Sequence, residues 1–443
     1  MNRLNDNICV IGLGYVGLTL SISLAKSGFN VFGVEINNQI LHSLKKNKST
    51  FYEPDINKNI KLVKKNFFFN KSILGSWNCD TYIITVGTPL NSRKKSRTDL
   101  VESAVKSIYR HLKEGDLVIL RSTVKIGTTE NLVKEILDKK KVNYHLAYCP
   151  ERTAEGKALY EIKNLPQIIG ATDKFSSALC INIFNKITNN IVEVSNTRTA
   201  EMIKVIDNTQ RDTFFAFSNE ISAICNKFNI SATEVINSCN YKYPRSNLAK
   251  PGPVAGPCLS KDAYILSESI KKKIKFSNSL SMGGRKINEN VPSEIISFIK
   301  KVFNKRKRKL KVVLMGITFK GSPLTSDTRD SFSIDFLKKI KPFFSNSKFY
   351  GYDPMLSIDI FKKIQLKKVK NINSVFKNSD IVFILNNNKK FSQLNLNQFS
   401  NVMKRSGLIY DCWNLYDISY LNLSNDVQYI SFGNHCAYKK NNN

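Results

Sequence analysis

The sequence predicts an α/β chain in which two doubly wound domains with parallel sheets are joined by a central helical domain carrying one long helix. Three observations predict it. Over the first 195 residues or so, short β-branched or aromatic runs alternate with helical stretches, the pattern of a parallel sheet with crossover helices. A segment of helical periodicity without Pro or Gly follows, roughly Thr199–Phe228. Beyond a basic linker at Lys305–Lys309 the α/β pattern restarts. A length of 443 residues agrees, being too great for one ordinary core.

In the first domain, residues 1–197, strands are expected near Ile8–Ile11, Val31–Val34, Thr81–Val86, Leu117–Leu120, Tyr144–Tyr148 and Gln167–Ile169. The middle domain, 198–300, begins with the long helix. Its apolar residues Met202, Val205, Ile206, Phe214, Phe217, Ile221, Ile224 and Phe228 recur at helical spacing. Four prolines between Tyr243 and Pro257 then mark a loop, and a second helical segment follows. In the last domain, 301–443, strands are expected at Val312–Met315, Lys348–Tyr350, Ile381–Leu385 and Leu408–Tyr410, and Lys439–Asn443 reads as a disordered tail.

Composition narrows the function. No signal peptide is expected ahead of Ile8–Gly12, and no run of about 18 apolar residues could span a bilayer. The nine cysteines (9, 79, 149, 180, 225, 239, 258, 412 and 436) form no CxxC pair, so neither a zinc site nor a disulfide framework is expected, and no metal. A reduced, cytoplasmic setting fits. The net charge of +33 includes clusters at Arg93–Arg97 and Lys305–Lys311. No aromatic residues interleave them, so the charge reads as a Lys- and Asn-rich surface that attracts anionic substrates. Neither nucleic acid nor membrane is expected as a specific partner.

Gly12-Leu13-Gly14-Tyr15-Val16-Gly17 follows the first strand and opens a helix. Gly12 permits the tight turn, Gly14 lets a pyrophosphate approach backbone, and Gly17 allows close helix–strand packing. The helix N-terminus offers unpaired N–H groups and a positive dipole end. Glu35 ends the second strand, 23 residues after Gly12. A carboxylate there accepts ribose hydroxyls and repels a 2′-phosphate, so the expected cofactor is NAD rather than NADP, on a Rossmann-like domain. Gly87-Thr88-Pro89, Ser122-Thr123 and Pro150-Glu151-Arg152 also sit at predicted strand ends, the rim where open parallel sheets bind ligands.

On the long helix Glu201, Lys204, Asn208 and Arg211 share one face, which could equally be a solvated polar stripe. The Gly/Pro-rich run Pro251–Asp262 places Cys258 in a turn with Lys261 and Asp262 just after it. A thiol near cations ionises more readily, and the thiolate is the nucleophile.

Together these motifs resemble the UDP-glucose/GDP-mannose dehydrogenase family over nearly the whole chain. The matching stretches are Val10–Gly17, Val86–Pro89, Ser122–Thr123, Pro150–Gly156, Glu201–Asn208, Asn219–Glu220, Gly256–Asp262, Gly316–Lys320 and Ser326–Ser331. The resemblance implies an NAD-binding Rossmann domain, a central domain whose long helix makes a homodimer or higher homo-oligomer, and a Rossmann-like domain holding UDP. It implies four-electron oxidation of a UDP-sugar through a thioester on Cys258, serving polysaccharide biosynthesis. Lys204 and Asn208 would stabilise oxyanions, Asp262 with Lys204 would hold a proton-moving water, Glu151 would assist thioester hydrolysis, and Thr123 would position that site. Cofactor contacts are implied for Gly12, Gly14, Tyr15, Val16, Gly17, Glu35, Thr88, Thr123, Glu155 and Arg329. Substrate contacts are implied for Arg245, Asn247, Lys250, Gly256, Arg285 and Lys320.

The chain also departs from the family pattern. Ala255-Gly256 replaces the usual Gly-Gly, where an extra methyl could crowd a glycine conformation, and Lys125 replaces a common Pro. The interval from Lys320 to Arg329 is slightly longer than in typical UDP-glucose enzymes. Pro150-Glu151-Arg152 and Tyr243–Pro253 resemble the N-acetylhexosamine branch, whereas Lys261-Asp262 resembles the UDP-glucose branch. The expected substrate is therefore a UDP-N-acetylhexosamine of mannosamine or glucosamine type, ahead of UDP-glucose. The competing readings are a two-electron hydroxyacid dehydrogenase and a non-catalytic NAD-binding protein.

Overall fold

The computed structural model describes residues 4–270, 274, 278–303, 309–424 and 426–438; residues 304–308 of the basic linker and the tail at 439–443 lie outside the described residues. The chain divides into two compact units, residues 1–208 with 264–275, and residues 209–263 with 276–443.

The first unit is built on strands β1 (Asn7–Ile11), β2 (Asn30–Val34), β3 (Phe67–Asn70), β4 (Thr81–Ile84), β5 (Leu117–Leu120), β6 (His145–Tyr148), β7 (Gln167–Ala171) and β8 (Ile191–Val194). Their order is β3-β2-β1-β4-β5-β6-β7-β8, and neighbours run parallel except β6 and β7. Strands β4 and β5 are buried along their whole length, which is why they read as continuous apolar runs. The chain leaves β1 toward one edge and returns to β4 on its other side. The carboxyl ends of β1 and β4 therefore form a topological switch point, where such sheets bind ligands. Helix α1 (Tyr15–Lys26) starts at that point and buries every residue from Gly17 to Ala25. The four-residue strands β3 and β8, at the two edges of the sheet, escaped the sequence reading.

The second unit repeats the plan with β9 (Lys311–Met315), β10 (Lys348–Tyr352), β11 (Lys367–Lys368), β12 (Ile381–Ile384), β13 (Leu408–Asp411) and β14 (Gln428–Ser431), all parallel, in the order β11-β10-β9-β12-β13-β14. Its switch point lies between β9 and β12.

Three further helices bear on function: α2 (Thr197–Phe228), α3 (Leu259–Ile270) and α4 (Leu280–Phe303). Helix α2 reverses the expectation for an amphipathic helix. Glu201, Asn208, Asp212, Ser218, Asn219 and Ser222 are buried, whereas Met202, Ile206, Phe214, Phe217, Ile224 and Phe228 are exposed, from 38% at Met202 to 73% at Phe228. Of the predicted apolar row, Val205 is fully buried. The reason is local: Glu201, Asp212 and Asn219 each find hydrogen-bond partners inside the protein, as described below. Among the described residues no helix is long and apolar enough to cross a membrane, and no cluster of His, Cys, Asp and Glu could hold a metal ion.

Candidate active site

In the first unit the glycine-rich turn does what its three glycines allow. Gly12 takes a φ of +93° and donates its N–H to Val34 O at 2.8 Å. A Cβ on Gly17 would lie 1.8 Å from Gly12 O, so α1 could not pack so closely on β1 with any other residue. A Cβ on Gly14 would meet nothing within 4 Å, and the N-terminus of α1 has no side-chain cap. Open space over unpaired N–H groups is what a dinucleotide diphosphate requires. Glu35, nearly buried, accepts Leu13 N–H through Oε2 and Asn37 N–H through Oε1, both at 2.8 Å. Its remaining lone pairs suit ribose hydroxyls, so these residues fit NAD.

Behind the turn, Tyr15 donates its hydroxyl to Glu53, and Gly156 N–H meets both the Tyr15 oxygen at 2.7 Å and Glu53 Oε2 at 2.8 Å. Burial first, and the Glu53 carboxylate second, push the Tyr15 phenol well above its ordinary pKa. Val16 and Glu155 are half-buried. Thr88 is buried and gives its hydroxyl to Thr123 O at 2.5 Å, while Ser122 Oγ donates to Val86 O at 2.7 Å. These two residues bind the ends of β4 and β5 together, and Thr123 is left half-buried at that rim.

Glu151 accepts Arg121 at 2.9 Å through Oε2, and Arg152 N–H at 2.8 Å and Thr153 N–H at 2.9 Å through Oε1. Burial pushes its carboxyl up, but the Arg121 guanidinium, the Thr153 N–H and the Lys204 ammonium together hold it below the ordinary value. Arg121 also donates to Cys149 O and Gln167 Oε1. Lys204 is half-buried and Asn208 is buried. Glu201, from the same polar face, has a structural task. It accepts Gly127 N–H and both donors of Thr129, at the start of the helical turn Thr129–Lys134, where a negative charge is favoured. Arg152 pairs with Asp207 at 3.1 Å. The basic run Arg93–Arg97 is engaged locally, with Lys94 over the Tyr264 ring and Arg97 on Asp99.

In the second unit Cys258 is exposed and directly precedes α3, its carbonyl accepting the N–H groups of Lys261 and Asp262 at 3.1 Å. The thiol thus stands at the end of a helix where negative charge is stabilised. The turn is rigidly set. Gly256 has a φ of +95°, donates to Asp330 O at 3.0 Å, and a Cβ on it would strike the Phe319 ring at 2.4 Å. Ala255 is absent from the positive-φ residues, and its methyl packs on the apolar core. The crowding expected from Ala-Gly in place of Gly-Gly therefore does not arise, because the left-handed position is the one still held by glycine. Lys320 Nζ lies 5.4 Å from the centre of the Phe319 ring, and Asp262, 1% exposed, pairs with Lys261 at 2.6 Å. Six of the other cysteines are buried; Cys239 is exposed and Cys436 intermediate.

Arg285, expected on the substrate, is held by protein groups. Its side chain is 2% exposed and donates to Asp212 Oδ1 at 2.8 Å and Leu259 O at 3.0 Å. Asn288 donates to the same carboxylate at 2.7 Å, and Asn219 joins Asn288 at 2.8 Å to the Gly252 backbone. The guanidinium therefore sits in the scaffold that carries the cysteine turn. Arg245, Asn247 and Lys250 stand exposed on a loop organised by Asn240, which bonds Ser246 and both backbone groups of Leu248. Arg329 is exposed and folded onto Asp327. Arg121, Asp212, Asn240 and Glu53 were missed in the sequence, where a lone polar residue outside a motif carries no signal. Asn219 lay within a recognised stretch but had no role.

The second sheet reproduces the first turn's backbone with a more heavily bonded carboxylate. Gly316 (φ +83°) donates to Tyr352 O at 2.8 Å as Gly12 does to Val34 O. Asp353, in the place of Glu35, accepts Ile317 N–H, Thr318 N–H and the Thr318 hydroxyl through Oδ2, and Met355 N–H through Oδ1.

Models of three domains of one family match the chain: the NAD binding domain over residues 6–188, the central domain over 198–290 and the UDP binding domain over 313–418. UDP-N-acetyl-D-mannosamine dehydrogenase of Methanocaldococcus jannaschii is 30% identical, with 91% of each chain covered. The enzyme of the same name from Campylobacter jejuni is 30% identical over 89% of this chain and 98% of its own. Among solved structures, UDP-N-acetyl-mannosamine dehydrogenase of Staphylococcus aureus superposes with a TM-score of 0.83 at 29% identity, covering 97% of this chain and 99% of that one. The chain belongs to the UDP-glucose/GDP-mannose dehydrogenase family and is an NAD-dependent nucleotide-sugar dehydrogenase.

Proposed function

We propose that this enzyme oxidises the C6 alcohol of a UDP-sugar to the carboxylate, with Cys258 as covalent nucleophile and UDP-N-acetylmannosamine, a UDP-N-acetylhexosamine, ahead of UDP-glucose. The observation that carries it is the exposed Cys258 thiol, fixed at the start of α3 by a turn that Phe319 and Asp330 hold in place. The relatives' names favour the N-acetylmannosamine substrate. Bound NAD supplies the hydride acceptor in both oxidations.

The first oxidation turns the alcohol into an aldehyde, releasing one proton. The Cys258 sulfur then adds to C6, giving a thiohemiacetal, whose oxidation leaves a thioester. Water cleaves the C–S bond, returning the thiol and releasing the acid. In sum, one alcohol, one water and two NAD give one carboxylate, two NADH and three protons. We assign Lys204 and Asn208 to the oxyanions, where a fixed donor contributes about 3 kcal/mol. Asp262 moves protons. Glu151, held as a carboxylate by Arg121, orients the hydrolytic water beside Thr123. Thr88 braces Thr123, and Gly12, Gly14, Tyr15, Val16, Gly17, Glu35, Glu155 and Arg329 serve the cofactor. Arg245, Asn247, Lys250, Gly256 and Lys320 serve the sugar nucleotide, and Arg285 supports them indirectly.

We assign cofactor binding to residues 1–197, the nucleophile and dimerisation to 198–300, and the uridine nucleotide to 301–443, in a cytoplasmic enzyme of polysaccharide biosynthesis. The decisive test counts NADH per UDP-sugar consumed, across UDP-N-acetylmannosamine, UDP-N-acetylglucosamine and UDP-glucose. Two NADH and an acid product are expected; one NADH with no acid selects a two-electron dehydrogenase, and no turnover selects a binding protein.

A homodimer formed by the outer face of α2 explains why Phe214, Phe217, Ile224 and Phe228 are exposed in a single chain. Phe217→Glu combined with Phe214→Glu should convert a dimer to a monomer by light scattering at micromolar concentration. An unchanged mass would remove this face as the interface.

A further inference from the structure

We infer that Glu53 is a positioning residue for the cofactor, resting on the reading that NAD occupies the Gly12–Gly17 turn. Glu53 belongs to no motif, precedes the short helix Ile56–Leu62, and is 3% exposed. A carboxylate so deeply placed is tolerated only when its lone pairs are met. Oε2 accepts the Tyr15 hydroxyl and Gly156 N–H, and Oε1 accepts Leu159 N–H at 3.3 Å.

The segments so joined matter more than the bonds themselves. Tyr15 is the first residue of α1, next to Gly14, where the backbone lies open for a diphosphate. Gly156, at a φ of +86°, closes the loop that begins at Glu151. Glu53 acts by holding the first turn of the cofactor helix and the 151–156 loop in one register. The Tyr15 hydroxyl is the connecting atom, since it donates to Glu53 and accepts Gly156 N–H at 2.7 Å. Tyr15 also packs against Phe51, with ring centres 4.7 Å apart, so the ring stays in place when its hydroxyl is removed.

The test compares Glu53→Ala, Glu53→Gln, Tyr15→Phe and Glu53→Gln/Tyr15→Phe with the parent, by NAD titration and by steady-state kinetics. Losing charge-assisted bonds at this anchor should raise the NAD dissociation constant and KM about tenfold. The KM for the UDP-sugar should stay within about twofold. The double variant should be little worse than the weaker-binding single one, because both break the same link. Glu53→Gln keeps the side chain's shape, so the comparison stands even where Glu53→Ala fails to fold. Unchanged NAD affinity in Glu53→Gln and Tyr15→Phe, or additive losses, would overturn the proposal alone. Failure of the parent to bind NAD would overturn the cofactor reading and the proposal with it.

Discussion

Cys258→Ser should lower acid formation by at least about a thousandfold while NAD affinity stays within about twofold. A serine hydroxyl occupies nearly the same space at the start of α3, so the turn set by Gly256, Phe319 and Asp330 should survive. What is lost is the soft nucleophile whose thiohemiacetal undergoes the second oxidation and whose thioester water then cleaves. NADH released per UDP-sugar should fall from two, and mass spectrometry of the products should show no uronate. Alkylation provides an independent reading, since Cys239 is also exposed. Iodoacetamide should label both thiols in the parent, but only loss of the Cys258 signal should track loss of activity. A serine variant that still makes acid at two NADH per sugar removes the thioester from the mechanism.

Most of the strand framework was readable because central strands in a parallel sheet are buried on both faces and must be apolar throughout. Thr81–Ile84 and Leu117–Leu120 show this plainly. Edge strands have no such obligation. Phe67–Asn70 and Ile191–Val194 carry exposed positions, and Lys367–Lys368 is too short and polar to register at all. The glycine turn was legible because backbone sterics demand particular residues at Gly12 and Gly17, leaving a pattern independent of the rest of the chain. Long-range polar ties leave no such pattern. Glu53 meets Gly156 across 103 positions, and Asp212 meets Asn288 across 76. No periodicity links such partners, so their roles appear only once the fold has brought them together.

Helix α2 shows the limit of reading burial from hydrophobicity. Its apolar spacing was seen correctly, yet Glu201 and Asn208 of the polar row turn inward while Arg211 stays exposed. Glu201, Asp212 and Asn219 repay their burial with Thr129, Arg285, Asn288 and Gly252, none of which a helical period can foresee. The same mechanism explains Ala255. A dipeptide comparison signalled strain, whereas the dihedral angles show that only Gly256 needs a left-handed conformation.

Arg285→Met should destabilise the second unit by about 3 kcal/mol, because it strands the buried Asp212 carboxylate without its cation. For a unit of this size that is a fall of about 6–12 °C in the midpoint of its thermal transition. Burial pushes the Asp212 carboxyl up while Arg285 opposes it, so removing Arg285 should raise the folded-state pKa further. A carboxyl raised on folding favours the native state at low pH and loses that contribution as pH rises through its folded value. The deficit of Arg285→Met should therefore shrink as pH falls toward the ordinary carboxylate range and be largest at neutral pH. Arg285→Met/Asp212→Asn removes the stranded charge and should recover much of the loss, as a buried pair exchanged whole costs far less than one broken. The opposite pattern is equally clear: unchanged melting with a UDP-sugar KM raised at least about tenfold would return this guanidinium to the substrate, where the sequence placed it. The 2% exposure of the Arg285 side chain and its bonds to Asp212 and Leu259 argue for the first outcome.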